Sequence, residues 1–186
     1  MTADSARVTI RTAIRNASHA DQPITLRTVV YDAAGKEVAA AASEARVPRD
    51  SVTETAQDLI VRSPTLWSVE RPYLYRAVSR VTCRGILCDD YATPFGVRTF
   101  SFDAGQGFIL NGTRLKIRGV CMHHDLGSLG AAVNTRALER QLQIMKAMGV
   151  NAIRTSHNPP APELLDLADR MGFIVMDEAF DMWKKE

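Results

Sequence analysis

From Arg7 to Arg15 apolar and basic residues alternate, with Val8, Ile10 and Ile14 on one face of an extended chain and Arg7, Arg11 and Arg15 on the other. A period of two marks a half-buried strand. After a turn-rich stretch from Asn16 to Pro23, residues 24–31 read as a second strand, and Asp32-Ala33-Ala34-Gly35-Lys36 supplies a hairpin turn. Further strands are predicted over 37–47, 52–61, 73–83 and 86–93, separated by Pro48-Arg49-Asp50, Ser63-Pro64, Arg71-Pro72 and Arg84-Gly85. Alanines favour helix by propensity, so the run Ala39 to Ala42 is read as an edge strand against that preference. Six or seven short strands with polar connections fit an immunoglobulin-like sandwich.

Beyond residue 98 the period changes. Asn111-Gly112 between apolar runs is a hairpin signal, and residues 117–122 form a short apolar strand. Asn134 or Thr135 can cap a helix to Met148, with Leu138, Leu142, Met145 and Met148 on one face and Gly149 ending it. Residues 150–155 are the next strand. Pro162 starts a second helix in which Leu164, Leu165, Leu167 and Ala168 pack, and Gly172 closes it. Phe173 to Asp177 is a third strand, continuously apolar as parallel strands covered on both faces are. This β-α-β-α-β order begins a barrel or an open wound sheet. The chain has 186 residues, whereas a closed (β/α)₈ barrel needs about 250, so it reads as a truncated piece with an uncovered edge at its third parallel strand.

Composition narrows the function classes. The 23 basic and 21 acidic residues leave a net charge of +2, and the basic residues form no stripe with interleaved aromatics, which excludes a nucleic-acid footprint. No segment reaches the roughly 18 apolar residues of a membrane helix. The N-terminus carries no secretory signal pattern, which favours the cytoplasm; a native start further upstream would leave the compartment unknown. The odd count of three cysteines (Cys83, Cys88, Cys121) argues against a fully paired disulfide framework. Cys83 and Cys88 flank the Arg84-Gly85 turn and are read as two free thiols in preference to a hairpin disulfide. Asn16-Ala17-Ser18 and Asn111-Gly112-Thr113 match the glycosylation sequon and are read as turn residues.

In parallel β/α units, functional groups collect at the C-terminal ends of strands. The three strands end in His123-His124-Asp125, in Arg154-Thr155-Ser156-His157-Asn158 and in Asp177-Glu178, gathering three of the four histidines. Cys121, His123, His124 and His157 are competent metal ligands, but no spacing matches a standard zinc pattern and no metal is assigned. Sugar hydroxyls need fixed donors and acceptors, which Arg, His and Asn provide. Arg154 would present a donor fork to hydroxyls, or tie the loops together through Asp177 or Asp125. Glycoside hydrolysis in retaining enzymes uses two carboxyl groups about 5–5.5 Å apart. Asp177 and Glu178 are adjacent and would point to opposite faces of an extended strand. Glu163, Asp166 and Asp169 share a polar helix face, and Asp181 and Glu186 lie at the tail, so no acid/nucleophile pair is found and no catalytic residue is assigned.

Leu66-Trp67, Pro72-Tyr73-Leu74-Tyr75, Phe95-Gly96-Val97-Arg98, Phe108-Ile109-Leu110-Asn111-Gly112 and Arg118-Gly119-Val120 occur in that order. Met122 to Gly127, Asn151 to Pro159 and Asp177-Glu178-Ala179 follow. This series resembles glycoside hydrolase family 2, the β-galactosidase, β-glucuronidase and β-mannosidase group. The resemblance implies an internal fragment: residues 4–98 as the immunoglobulin-like sandwich and 99–186 as the entry hairpin plus the first β/α units of a (β/α)₈ TIM barrel.

It also implies a retaining hydrolase of terminal β-linked sugars. The family's jelly-roll domain would lie before Met1, and its acid/base and nucleophilic glutamates beyond Glu186, leaving the isolated chain inactive. His123, Arg154 and His157 match positions that line the subsite of the cleaved sugar, and Glu178 matches a supporting acidic position. His124 replaces an acidic residue of some relatives, and the wording from Cys121 to Gly127 is closest to β-galactosidase-type members. The implied partner is a carbohydrate substrate, with a homo-oligomer left open. No cofactor is evident, and nothing in this chain supports a divalent cation that an intact enzyme could hold. The alternative function is a non-catalytic carbohydrate-binding or interaction module derived from that family.

Overall fold

The structure, a computed structural model, describes residues 4–181. The candidate carboxylate Glu186 lies outside them. Two compact units are present: residues up to Thr65 together with Leu74–Val97, and Leu66–Tyr73 together with the residues from Arg98 on.

The first unit is a sandwich of six strands, β1 (Ser5–Asn16), β2 (Gln22–Tyr31), β3 (Glu37–Val47), β4 (Ser51–Arg62), β5 (Tyr75–Cys83) and β6 (Ile86–Phe95). One sheet is the antiparallel pair β1–β4, and the other runs β3-β2-β5-β6. The alternating β1 pairs with β4 from Ser5↔Arg62 to Asn16↔Ser51 without a break, its apolar residues half-buried and Arg7, Arg11 and Arg15 exposed. In β2, paired on both edges, Leu26, Thr28, Val29 and Val30 are buried. A hydroxyl at that depth must be paired, and Thr28 Oγ1 and Ser79 Oγ, opposite each other on β2 and β5, lie 2.9 Å apart. Gln57 of β4 reaches across the sandwich, donating to the Leu26 carbonyl and to Ser43 Oγ, 3.0 Å each. The alanine run is an edge strand: β3 pairs with β2 alone among the described residues. Sheet pairing and a partner face override the helical preference of alanine there. All three cysteines are free thiols.

In the second unit a small antiparallel sheet, β7 (Phe100–Asp103), β8 (Gly107–Leu110) and β9 (Thr113–Arg114), leads into parallel strands β10 (Gly119–Met122), β11 (Ala152–Thr155) and β12 (Ile174–Met176). Asn111 (φ 52°) and Gly112 (φ 77°) form the two-residue turn between β8 and β9. The left-handed conformation of both residues is what a tight hairpin requires. Helix α1 (Thr135–Ala147) follows β10, and α2 (Pro162–Met171) follows β11. Asn134 caps α1 by accepting from the Ala137 amide at 3.0 Å, and Pro162 opens α2.

Leu138 and Leu142 of α1 pack with Leu164, Leu167 and Ala168 of α2 against Met122, Val150, Ile153 and Phe173. Met148 departs from the expected apolar face. It is the C-cap residue of α1 and is exposed, because the helix ends before its last turn can reach the core. Trp67 is buried within this unit, its Nε1–H donating to the Asp169 carbonyl at 2.8 Å and the Arg98 guanidinium lying 4.6 Å from the ring centre. No helix among the described residues is long and apolar enough to cross a membrane.

Candidate sugar-binding site at the strand ends

Parallel register fixes which side chains become neighbours. Val120, Ile153 and Val175 are aligned across β10, β11 and β12, and Cys121, Arg154 and Met176 form the next row. Because side chains alternate along a strand, the first row turns toward the helices, with Ile153 buried, and the second toward the opposite face, with Cys121 and Met176 exposed. Arg154 is thus presented on an open face just before its strand ends.

The Arg154 guanidinium is bound by Glu178, whose Oε1 takes contacts from both Nε and Nη2. The other carboxylate oxygen, Oε2, lies 3.0 Å from His157 Nδ1. Glu178 therefore bridges the Arg and the His and fixes which nitrogen of the ring faces the carboxylate. His123 meets the His157 ring edge-on, with centroids 5.5 Å apart and planes at 77°. The Ser156–His157 peptide is cis.

The partner of Arg154 is thus Glu178, neither Asp177 nor Asp125. Asp125 is engaged in its own loop, accepting from the Gly127 amide at 2.8 Å, and Asp177 accepts from Thr155 Oγ1 at 3.1 Å. The same Thr155 oxygen accepts from the Glu178 amide at 3.2 Å, so one buried hydroxyl holds both acidic residues at the end of β11. The two acidic side chains go to different neighbours, Asp177 to Thr155 and Glu178 to Arg154, which are adjacent on β11 and face opposite ways, as the expected divergence requires.

Thr155 escaped the sequence reading as a functional residue. Its only signal was its place between Arg154 and His157, and it reaches the acidic pair solely through parallel pairing. Asn151 is a second such residue: its Oδ1 accepts from the Arg118 amide at 2.7 Å and its Nδ2 donates to the Lys116 carbonyl at 2.9 Å, fastening the entry to β10. Cys121, considered above only as a metal ligand, instead has its Sγ 3.6 Å from Arg154 Nη1. That guanidinium, and secondarily Ser156, holds the Cys121 thiol below its ordinary pKa, while Cys121 first and Glu178 second hold Arg154 above its own. An exposed thiol so placed carries an enlarged thiolate fraction at neutral pH.

His124 is exposed beside the cluster and lines, with His123, Met122 and Thr155, a cleft of about 40 Å³. That is room for roughly one or two waters. Glu163, Asp166 and Asp169 are exposed along α2. Among the described residues no three His, Cys, Asp or Glu side chains converge to hold a metal ion. The cluster combines a guanidinium, a carboxylate and two imidazoles, a donor and acceptor mixture suited to polyhydroxyl ligands.

Comparison with known families settles the lineage. The model described as glycosyl hydrolases family 2 matches residues 1–98, and that of the family 2 TIM barrel domain matches residues 104–182. The chain belongs to glycosyl hydrolase family 2. Its architecture is accordingly an immunoglobulin-like sandwich followed by the first β/α units of a TIM barrel. A β-galactosidase of Bacteroides ovatus is 55% identical over 177 residues, 95% of this chain and 21% of that protein. A β-glucuronidase of Bacteroides fragilis is 36% identical over 121 residues, 64% of this chain and 17% of that protein. The crystal structure of a family 2 member from Bacteroides cellulosilyticus superposes with a TM-score of 0.93 at 40% identity, covering 98% of this chain and 25% of the other. This chain therefore spans about a sixth to a quarter of the length of these relatives.

Proposed function

We propose that this chain supplies one side of the sugar subsite of a retaining β-glycosidase acting on terminal β-galactosides. In this reading residues 4–98 are the sandwich and residues 99–186 the opening of the barrel. Arg154, His157 and His123 contact hydroxyls of the cleaved sugar. Glu178 is a positioning residue that holds Arg154 and His157 in register with each other. The observation that carries the reading is the Glu178 bridge, which organises two hydroxyl-binding side chains where parallel β/α folds place their chemistry. Contacts of this kind accelerate the reaction when they tighten as the oxocarbenium-like transition state forms. The identity to the Bacteroides ovatus β-galactosidase, higher and over more of the chain than to the Bacteroides fragilis β-glucuronidase, supports the galactoside over the glucuronide.

Acid protonation of the glycosidic oxygen and formation of a covalent glycosyl–enzyme intermediate need a pair of carboxyl groups. The reading assigns that pair to other parts of a longer enzyme. The isolated chain accordingly turns over no aryl β-glycoside, and purified protein that does so, free of host enzyme, contradicts this.

The direct test replaces the matching segment of the Bacteroides ovatus β-galactosidase with this chain. The chimera is expected to hydrolyse an aryl β-galactoside with kcat/KM within about tenfold of its parent, and an aryl β-glucuronide at least about 100-fold less well. Reversed preference overturns the galactoside assignment. A folded chimera with no hydrolysis of either supports a non-catalytic module instead.

A further inference from the structure

Far along the chain from the sugar-site residues, the sandwich brings two thiols together. Strands β5 and β6 are joined by a two-residue turn, Arg84 (φ 53°) and Gly85 (φ 80°), which sets Cys83 opposite Ile86. Period two then places Cys88, two residues beyond Ile86, on the same face as Cys83. Such diagonal neighbours are normally about 7–8 Å apart at Cα, longer than the roughly 4.4–6.8 Å a disulfide spans.

Here the register shifts between Val81 and Thr82: Thr82 pairs with Leu87 and Val81 with Asp89, so Cys88 is the extra residue of a bulge. A bulge bends its strand and re-aims the inserted side chain. Both cysteines line one groove of about 610 Å³ with Ile14, Ile24 and Val47. Cys88 Sγ donates to the Ile86 carbonyl at 3.5 Å, and the neighbouring Cys83 thiol is held above its ordinary pKa, by Cys88 first and by burial second.

Their exposures differ in a useful way. Cys88 is exposed and reachable by a solute, whereas Cys83 is half-buried against the Ile24, Leu26 and Val47 cluster. This is the arrangement of an attacking and a resolving thiol.

We propose that Cys83 and Cys88 are a reversible dithiol–disulfide pair that closes across the β5–β6 hairpin on reaction with a small-molecule disulfide such as oxidised glutathione. The Cys88 thiolate attacks one sulfur of the oxidant, forming a mixed disulfide and releasing one glutathione thiolate. Cys83, as its thiolate, then attacks the Cys88 sulfur and expels the second. Two protein thiols lose two protons and two electrons, and the oxidant is reduced to two thiols. Closure cross-links the hairpin beside the Ile24, Leu26 and Val47 cluster, so the state of the sandwich reports the redox poise of its compartment.

The test equilibrates the full chain in glutathione buffers from reducing to oxidising, followed by thiol counting, intact mass and tryptic mapping. The expected result is loss of the Cys83 and Cys88 thiols with no glutathione retained on either, and a mass lower by two hydrogens once any adduct on the exposed Cys121 is counted separately. Because trypsin cuts after Arg84, the peptides 81–84 and 85–98 should then run as one disulfide-linked species. Return to reducing buffer restores three thiols. Cys121→Ser should still lose two thiols, and Cys83→Ser should stop at a glutathione adduct on Cys88. Retention of all three thiols in the most oxidising buffer, a stable glutathione adduct on wild-type Cys88, or a linkage through Cys121 would each overturn the proposal.

Discussion

Gly172 lies directly against the backbone of Val69: a Cβ built on the glycine would stand 2.2 Å from the Val69 carbonyl oxygen and 3.0 Å from its carbon. Its φ of +75° places it in the left-handed region as the C-cap of α2. Two penalties therefore fall on any side chain there, a backbone conformation that L-residues avoid and a clash with backbone that cannot swing away. Gly172→Ala is expected to destabilise the second unit by about 2–4 kcal/mol. Denaturant unfolding measures this, and a loss under about 0.5 kcal/mol would contradict it.

Lys146 spans the same seam, its Nζ donating to the carbonyls of Val69 and Gly172 at 2.9 Å each and lying 5.0 Å from the Phe173 ring centre. Burial first, opposed by Glu70, pulls its pKa below the ordinary lysine value. A base whose folded pKa lies below its unfolded pKa is penalised while charged, so that penalty is full below the folded pKa. Between the two values the unfolded chain binds more protons, and stability rises with pH. Wild-type protein should therefore gain a small increment of stability toward alkaline pH that Lys146→Met lacks. Parallel unfolding series across that range, with identical pH slopes in both proteins, would refute it.

Glu178 organises its neighbours through two oxygens, so removing its charge should disturb Arg154 and His157 together. In the chimera with the Bacteroides ovatus enzyme, Glu178→Gln is expected to lower kcat/KM by about 10–100-fold. The loss should fall on kcat more than on KM, since Arg154 and His157 Nδ1 both lose their carboxylate partner, and Glu178→Asp should recover part of it. Equal losses in Glu178→Gln and Glu178→Asp with KM alone changed would contradict the positioning role.

Strand β12 pairs only with β11 among the described residues, and Met176 and Phe180 beside it are exposed at 65% and 66%. An open strand edge next to apolar side chains invites pairing between chains. Sedimentation should show a mass that rises with protein concentration, and Met176→Lys should suppress the rise. A wild-type monomer at all concentrations would exclude this association.

Local patterning was enough for most elements. The alternation in β1, the Asn111-Gly112 turn, the Asn134 cap and the α2 stop at Gly172 each rest on residues close in sequence, where propensity and turn chemistry act directly. Met148 was misjudged because periodicity tells where a face points and not where the core ends.

The strand-end cluster was legible as a set of residue types: the order of elements gathers His123, His124, Asp125, Arg154, His157, Asp177 and Glu178, and the family resemblance singles out His123, Arg154, His157 and Glu178. Their pairing was not. Whether Arg154 meets Asp125, Asp177 or Glu178 depends on parallel register and on the Thr155 hydroxyl that draws the chain after β12 toward β11. The hairpin that Cys83 and Cys88 flank was legible, but not the one-residue bulge that takes Cys88 out of the strand pairing. Backbone periods and turns are properties of a few neighbouring residues and survive in the sequence. Contacts between groups 20 or more residues apart exist only once register, twist and burial have brought their strands side by side.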